Sequence, residues 1–114
     1  MPKIKPQLKK GEETDEAIII RVVAGDLGAF QPIVARYERK LLLYLTHLIG
    51  GREEADDIVQ DVFVKAYQHL GSFDRTRKFS SWIYRIAHNE GVNWIRKKSR
   101  RPTVAWEDII EARE

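Results

Sequence analysis

Residues 53–71 read EEADDIVQDVFVKAYQHLG. Ala55, Ile58, Val59, Val62, Phe63, Ala66 and Leu70 recur at steps of three and four, the spacing of one face of an α-helix. The acids crowd the first turns, where they suit the positive end of the helix dipole. Gly71 closes the run. The spacing therefore predicts a helix from about Glu53 to Leu70 with a continuous core stripe. Its other side carries Asp57, Gln60, Asp61, Val64 and Tyr67, at offsets 0, 3, 4, 7 and 10. An acid and amide ridge with an aliphatic at its middle reads as a protein docking strip, apolar at the centre and polar at the rim. The plain alternative is a solvated face with one stray Val.

The same period extends outward. Upstream, Phe30, Ile33, Val34, Tyr37, Leu41, Tyr44, Leu45, Leu48 and Ile49 mark a long helix. Asp26 stands as its cap, Pro32 falls in its first turns, where a missing N–H costs little, and Gly50-Gly51 stop it. A shorter helix precedes it, from about Asp15 to Ala24. Thr14 or Asp15 caps it, Ala17, Ile18, Val22 and Leu27 form its apolar side, and Gly25 ends it. Residues 1–13 hold two Pro and four Lys and show no period, so they read as a mobile basic arm. Downstream, GSFDRTRK is a loop, and a fourth helix follows from about Phe79 to Lys98. Arg101-Pro102 breaks the pattern, and 102–114 reads as an acidic linker or a short helix. No strand-like alternation persists. The chain is all-α, a bundle of about four helices, with the folded domain at 14–101.

The fourth helix has two contrasting arcs. Phe79, Ile83, Ile86, Ala87 and Trp94 cluster on a core face. Glu90 falls among them, so it must reach the wet edge of that arc or pair with an Arg; a buried lone carboxylate would be costly. Opposite lie Trp82, Arg85, Asn89, Asn93, Arg96 and Arg100. Asn is a poor helix former, and two of them four residues apart carry a cost that a purely solvating face avoids. An amide both donates and accepts, which suits a base edge. Guanidinium suits phosphate, and an aromatic suits a stacked or unstacked base. The alternative is a solvent face with incidental Asn. The preceding loop adds Phe73, Arg75, Arg77 and Lys78. Phe73 has two readings: a plug for the core beneath it, or one side of a site for a single base taken out of the stack.

Bulk properties are consistent with this organisation. The chain has 114 residues, 43% of them hydrophobic and 32% charged, enough for one compact domain. Net charge is only +3, but it is unevenly distributed. Nine Lys or Arg face one acid between Arg75 and Arg101, and five acids face one Arg between Arg52 and Asp61. Two different partner surfaces are expected, one of them for a polyanion. The absence of Cys excludes disulfides and thiolate metal sites and favours an intracellular protein. No apolar run approaches the ~20 residues that span a bilayer. His47, His69 and His88 are scattered without metal-ligand spacing. GDLGAF lacks the Lys-Ser/Thr ending of a phosphate loop. Asp56, Asp57 and Asp61 read better as dipole complements than as a metal site. No nucleophile stands beside a base, so neither an enzyme nor a cofactor is expected.

Three segments together, GDLGAFQPIVARYERKL, ADDIVQDVFVKAYQHLGSF and FSSWIYRIAHNEGVNWIRKKSRRP, resemble region 2 of the extracytoplasmic-function (ECF) RNA polymerase sigma factors, the sigma-E type above all. The resemblance covers about Thr14 to Pro102. It implies a compact helical domain that binds core RNA polymerase and the non-template strand of the promoter −10 element. It implies that Asp57, Gln60 and Asp61, with Val64 and Tyr67 as neighbours, dock on the clamp helices of the β′ subunit. It also implies that Phe73 is the aromatic of the base-capturing loop, that Asn89 reads an adjacent base, and that Asn93 makes a second polar contact. Arg85, Arg96, Lys97 and Arg100 would hold phosphates. An anti-sigma factor is a further implied partner, because many relatives are held inactive by one. Two features depart from the pattern: the loop DRTRK is more basic than its family counterparts, and Glu90 stands where a small or neutral residue is expected. Relatives also carry a second helical domain, region 4, so this chain is expected to be a single domain or a truncated protein. The rival readings are a sigma-like module held by other proteins without promoter reading, and a general nucleic-acid-binding bundle.

Overall fold

The computed structural model describes residues 12–113, with side chains for 12–99. Among them are four α-helices and no strand: α1 Asp15–Val23, α2 Gln31–Ile49, α3 Arg52–His69 and α4 Phe79–Arg113. Short 3₁₀ turns, Leu27–Phe30 and Leu70–Ser72, precede α2 and follow α3. The all-α bundle expected from the periodicity is the fold observed. The basic arm and the side chain of Arg100 fall outside the described residues, apart from the arm's last two positions.

Each helix starts and stops for a local reason. The Thr14 hydroxyl accepts from the Ala17 N–H at 3.1 Å and caps α1. Pro32 sits at the opening of α2, and Gly50 ends that helix with φ +83°, a left-handed conformation that glycine adopts without a Cβ penalty. Asp26 heads the 3₁₀ turn rather than α2 and makes no side-chain cap bond. Its carboxylate pairs instead with Arg21 at 3.1 Å.

The core is one cluster drawn from all four helices. The whole predicted stripe of α3, from Ala55 to Leu70, is buried. From α2, Phe30 in the preceding turn and Ile33, Tyr37, Leu41 and Leu45 are buried, while Val34, Tyr44, Leu48 and Ile49 pack at the edge. From α4, Phe79, Ile83 and Ala87 are fully buried, with Ile86 and Trp94 beside them. Two further expectations need correction. Leu27 is 60% exposed, because the chain turns after Gly25 and carries it off the inner side of α1, where Ile19 takes the core position. Helix α4 does not stop near Lys98: the backbone stays helical through Pro102 to Arg113. Proline removes one backbone hydrogen bond, but its fixed φ is itself helical, so the segment continues at a local cost of about 3 kcal/mol.

One buried helical residue has no apolar side chain at all. Gly91 lies where α4 crosses α2, and a Cβ built there would stand 2.6 Å from Leu48 Cδ2 and 3.0 Å from Leu45 Cδ2. Leu45 is fully buried and has little room to give. Glycine within a helix costs about 1 kcal/mol relative to Ala, a cost accepted here for close backbone approach. Gly91→Val is expected to lower unfolding free energy by about 1–3 kcal/mol through overpacking. Urea titration followed by far-ultraviolet circular dichroism would measure this; an unchanged midpoint would refute the close-approach role.

Candidate nucleic-acid interface

The loop between α3 and α4 and the first turns of α4 enclose a cleft of about 600 Å³, within the roughly 300–1,000 Å³ typical of small-ligand sites. Phe73 lies at its base, only 5% exposed. Phe73 belongs to the core cluster and also lines the cleft. Its ring packs edge-on against Phe79 at 5.6 Å and tilted against Trp82 at 5.3 Å. Trp82 is partly buried and forms part of the cleft lining. Arg77, Lys78 and Arg85 supply cations to the rim, opposed by one acid, Asp74. Arg75 is exposed in the same loop but does not line the cleft.

The loop is shaped by Asp74. Its Oδ1 accepts from the Thr76 N–H at 3.0 Å and from the Thr76 hydroxyl at 2.7 Å. The Arg77 N–H donates to the Asp74 carbonyl at 3.0 Å, and Arg77 Nε lies 3.6 Å from its carboxylate. The Thr76 hydroxyl, then its N–H, hold the Asp74 carboxyl below its ordinary value of 3.8, with Arg77 adding to the effect. Asp74, Thr76, Ser72 and Ser81 line the cleft but were not singled out from the sequence. The spacing Asp-x-Thr, a side chain bonding its own backbone two residues on, was the available signal.

Two further clefts continue along α4. One, of about 290 Å³, shares Ser72 and Trp82 with the first and reaches Asn89, with Lys65 and His69 of α3 on its other side. The next, of about 410 Å³, shares Asn89 and extends to Asn93 and Arg96. The shared residues make a continuous track from the loop to Arg96. Asn89, Asn93, Arg96 and Lys97 are exposed on it or at its end. At 1.5 Å per residue, Trp82 to Arg96 spans about 21 Å of helix.

Glu90 has its explanation here. Its Oε2 accepts from Lys65 Nζ at 2.6 Å, joining α4 to α3 across the second cleft. The Glu90 side chain is 16% exposed. The carboxylate thus finds a cation at the wet edge of the core, a Lys rather than an Arg. The histidines are placed separately: His88 Nδ1 lies 2.7 Å from the Tyr44 hydroxyl, and His69 lines the second cleft. Among the described residues no cluster of ligating side chains could hold a metal, and no helix is long and apolar enough to cross a membrane.

On α3, Asp57, Gln60, Asp61, Val64 and Tyr67 are all exposed, Val64 at 54% and Tyr67 at 39%. The strip is real as a surface. Tyr67 also lays its ring edge against Phe30 at 5.3 Å, which fixes one end of the strip to the turn before α2.

The family model described as Sigma-70 region 2 matches residues 33–101, which include most of α2, all of α3, the loop and the track-forming part of α4. The chain belongs to the sigma-70 region 2 family. Among its relatives, the ECF RNA polymerase sigma-E factor of Haemophilus influenzae is 40% identical over 97 residues, 85% of this chain and 50% of that protein. The ECF RNA polymerase sigma factor SigW of Bacillus subtilis is 45% identical over 80 residues, 70% of this chain and 43% of that protein. The chain spans about half the length of the curated relatives it matches. An engineered region 2 of sigmaE, solved by NMR in complex with GTAAAA, superposes with a TM-score of 0.75 at 39% identity, covering 82% of this chain and 97% of that one. CnrH in complex with the cytosolic domain of CnrY superposes with a TM-score of 0.66 at 31% identity, covering 71% of this chain and 53% of that one.

In this sigma region 2, Asp74 is expected to titrate with a midpoint below 3.8, and Thr76→Val to return it toward 3.8. The folded-state value is lowered, so the contribution of the turn is complete above pH 3.8 and is lost as pH falls through the lowered value. NMR titration of the Asp74 side-chain carboxyl carbon checks both; a wild-type midpoint at or above 3.8 would refute the loop geometry.

Proposed function

We propose that this chain is a transcription-initiation specificity domain. It binds core RNA polymerase and recognises and opens the promoter −10 element by capturing bases of the non-template single strand. The observation that carries this reading is the continuous track, which begins at an aromatic cleft with a cationic rim and passes two exposed Asn to Arg96. Each part has a physical task. The cleft over Phe73 and beside Trp82 takes one unstacked base, and aromatic contact offsets an unstacking cost of a few kcal/mol. Asn89 and then Asn93 present a donor and an acceptor to the next base edges. Arg85, Arg96, Lys97 and Arg100 hold phosphates, with Arg75, Arg77 and Lys78 adding positive potential at the loop. The sigmaE region 2 relative bound to the six-nucleotide GTAAAA supports the same assignment.

The exposed strip on α3 is the proposed polymerase contact. Val64 and Tyr67 supply buried area on docking, while Asp57, Gln60 and Asp61 set orientation against a basic partner. The β′ clamp helices are the proposed docking partner. An anti-sigma factor is a further proposed partner, and the CnrH complex with the cytosolic domain of CnrY supports a protein ligand for this fold. The domain is proposed to occupy 14–101, with the following residues leading toward a region 4.

Asn89→Ala is expected to weaken binding to a short −10-like single strand by about 1–3 kcal/mol for the preferred base and little for its substitutes. Arg96→Ala should weaken binding to every sequence and lower the salt slope by about 0.7. Fluorescence anisotropy over single-base variants and salt concentrations separates the two effects. Equal losses on every oligonucleotide for both variants would refute base reading and favour a general nucleic-acid-binding bundle. Asp61→Lys is expected to reduce capture of the domain by core polymerase several-fold in a pull-down; unchanged capture would refute the α3 assignment.

A further inference from the structure

The residue before helix α4, Lys78, cannot cap it through its side chain. Lys78 is its boundary residue: the Lys78 carbonyl accepts from the Trp82 N–H at 3.4 Å. A lysine side chain has no acceptor to offer the helix N-terminus, and the first turn of α4 holds no acid. The first N–H groups of a helix need partners from elsewhere.

The partner comes from α1. Glu16 Oε2 accepts from the Phe79 N–H at 2.9 Å, across 63 positions of sequence. Its neighbour Asp15 accepts from the Tyr37 hydroxyl and from Arg36 NH1 at 2.8 Å. The Tyr37 ring in turn meets the edge of Phe79 at 5.7 Å. Two consecutive acids of α1 therefore act on one residue, Glu16 on its N–H directly and Asp15 on its ring through Tyr37. Phe79 touches both aromatics of the cleft, Phe73 and Trp82, each at 5.6 Å.

We propose that Glu16 is a positioning residue for the base-capturing cleft. Its carboxylate holds the first N–H of α4. That contact sets where Phe79 begins the helix, and so where Phe73 and Trp82 stand. Glu16 does not line the cleft. The proposal rests on the reading of that cleft as a base site. It assigns a role in base selection to a residue of α1 that the sequence does not mark.

The test compares wild type, Glu16→Ala and Glu16→Gln by two measurements. Amide hydrogen exchange at Phe79, read by NMR without DNA, reports the cap. Anisotropy titration with six-nucleotide single strands that differ at one base reports selection. Glu16→Ala is expected to speed Phe79 exchange roughly tenfold, the scale of a lost N-cap. It should also cut discrimination between oligonucleotides several-fold while leaving the salt slope unchanged. Glu16→Gln keeps an acceptor oxygen and should recover most of both. If Glu16→Ala fails to fold, Glu16→Asp, one methylene shorter, takes its place. Unchanged Phe79 exchange overturns the cap. Faster exchange with discrimination intact overturns the positioning role. A wild type that binds every oligonucleotide equally overturns the base-site reading itself, whatever the exchange data show.

Discussion

The burial of Phe79 at the very first residue of α4 is the constraint on which the rest of the site depends. A helix terminus ordinarily lies near water, because its backbone donors need partners. Here the terminal residue is fully buried, with its ring among Tyr37, Phe73 and Trp82. Helix α1 supplies an acceptor for its N–H. In return the bundle gains a fixed origin for α4. Every residue downstream of Phe79 inherits its angular position from that origin, including the amides of the track.

The same economy explains the polar contacts around the core. Among the described residues no buried side-chain polar atom lacks a partner. The Tyr37 hydroxyl is satisfied by Asp15, and burial, with that hydrogen bond next, raises its pKa far above the ordinary value of 10.0. The phenol is therefore a neutral donor at any physiological pH, and the contact behaves as a fixed strut. Arg36 closes the group by donating to Asp15 at 2.8 Å and to the Glu13 carbonyl at 2.7 Å. Glu90 is managed in a similar way through Lys65, but at a wetter boundary where such a pair contributes little to stability.

The legible parts of this molecule are those governed by local periodicity. The stripe of α3 is buried residue for residue, because a three-and-four spacing leaves one choice of inner face. The fold class and the exposed arc of α4 follow from the same rule. Leu27 was misplaced because a turn after Gly25, not the helical period, sets its direction. The end of α4 was misplaced because a proline was read as a stop where the helix accepts the lost bond. Gly91 passed unnoticed: glycine on a core face looks like an absence until the opposing Leu45 and Leu48 are known. Glu16 and Lys65 could not be found at all, since each acts on a residue far along the chain. The track itself was half visible, as residue types on a helical wheel, but its clefts exist only where α3, the loop and α4 meet.

The contact between Glu16 and Phe79 also has a kinetic and thermodynamic meaning. The first cleft is lined by residues 72–85, a nearly contiguous segment, yet its origin is secured from position 16. A chain that has formed only its C-terminal helices holds the cleft residues without the clamp that orders them. Completion of the cleft therefore depends on a non-local contact, whose loop-closure entropy is a cost that the contact must offset. In the folded protein the dependence runs both ways. Local opening of α1 releases the origin of α4, and by linkage whatever grips the cleft protects α1 from opening. Helix α1, which contributes no side chain to the cleft, shares its fate.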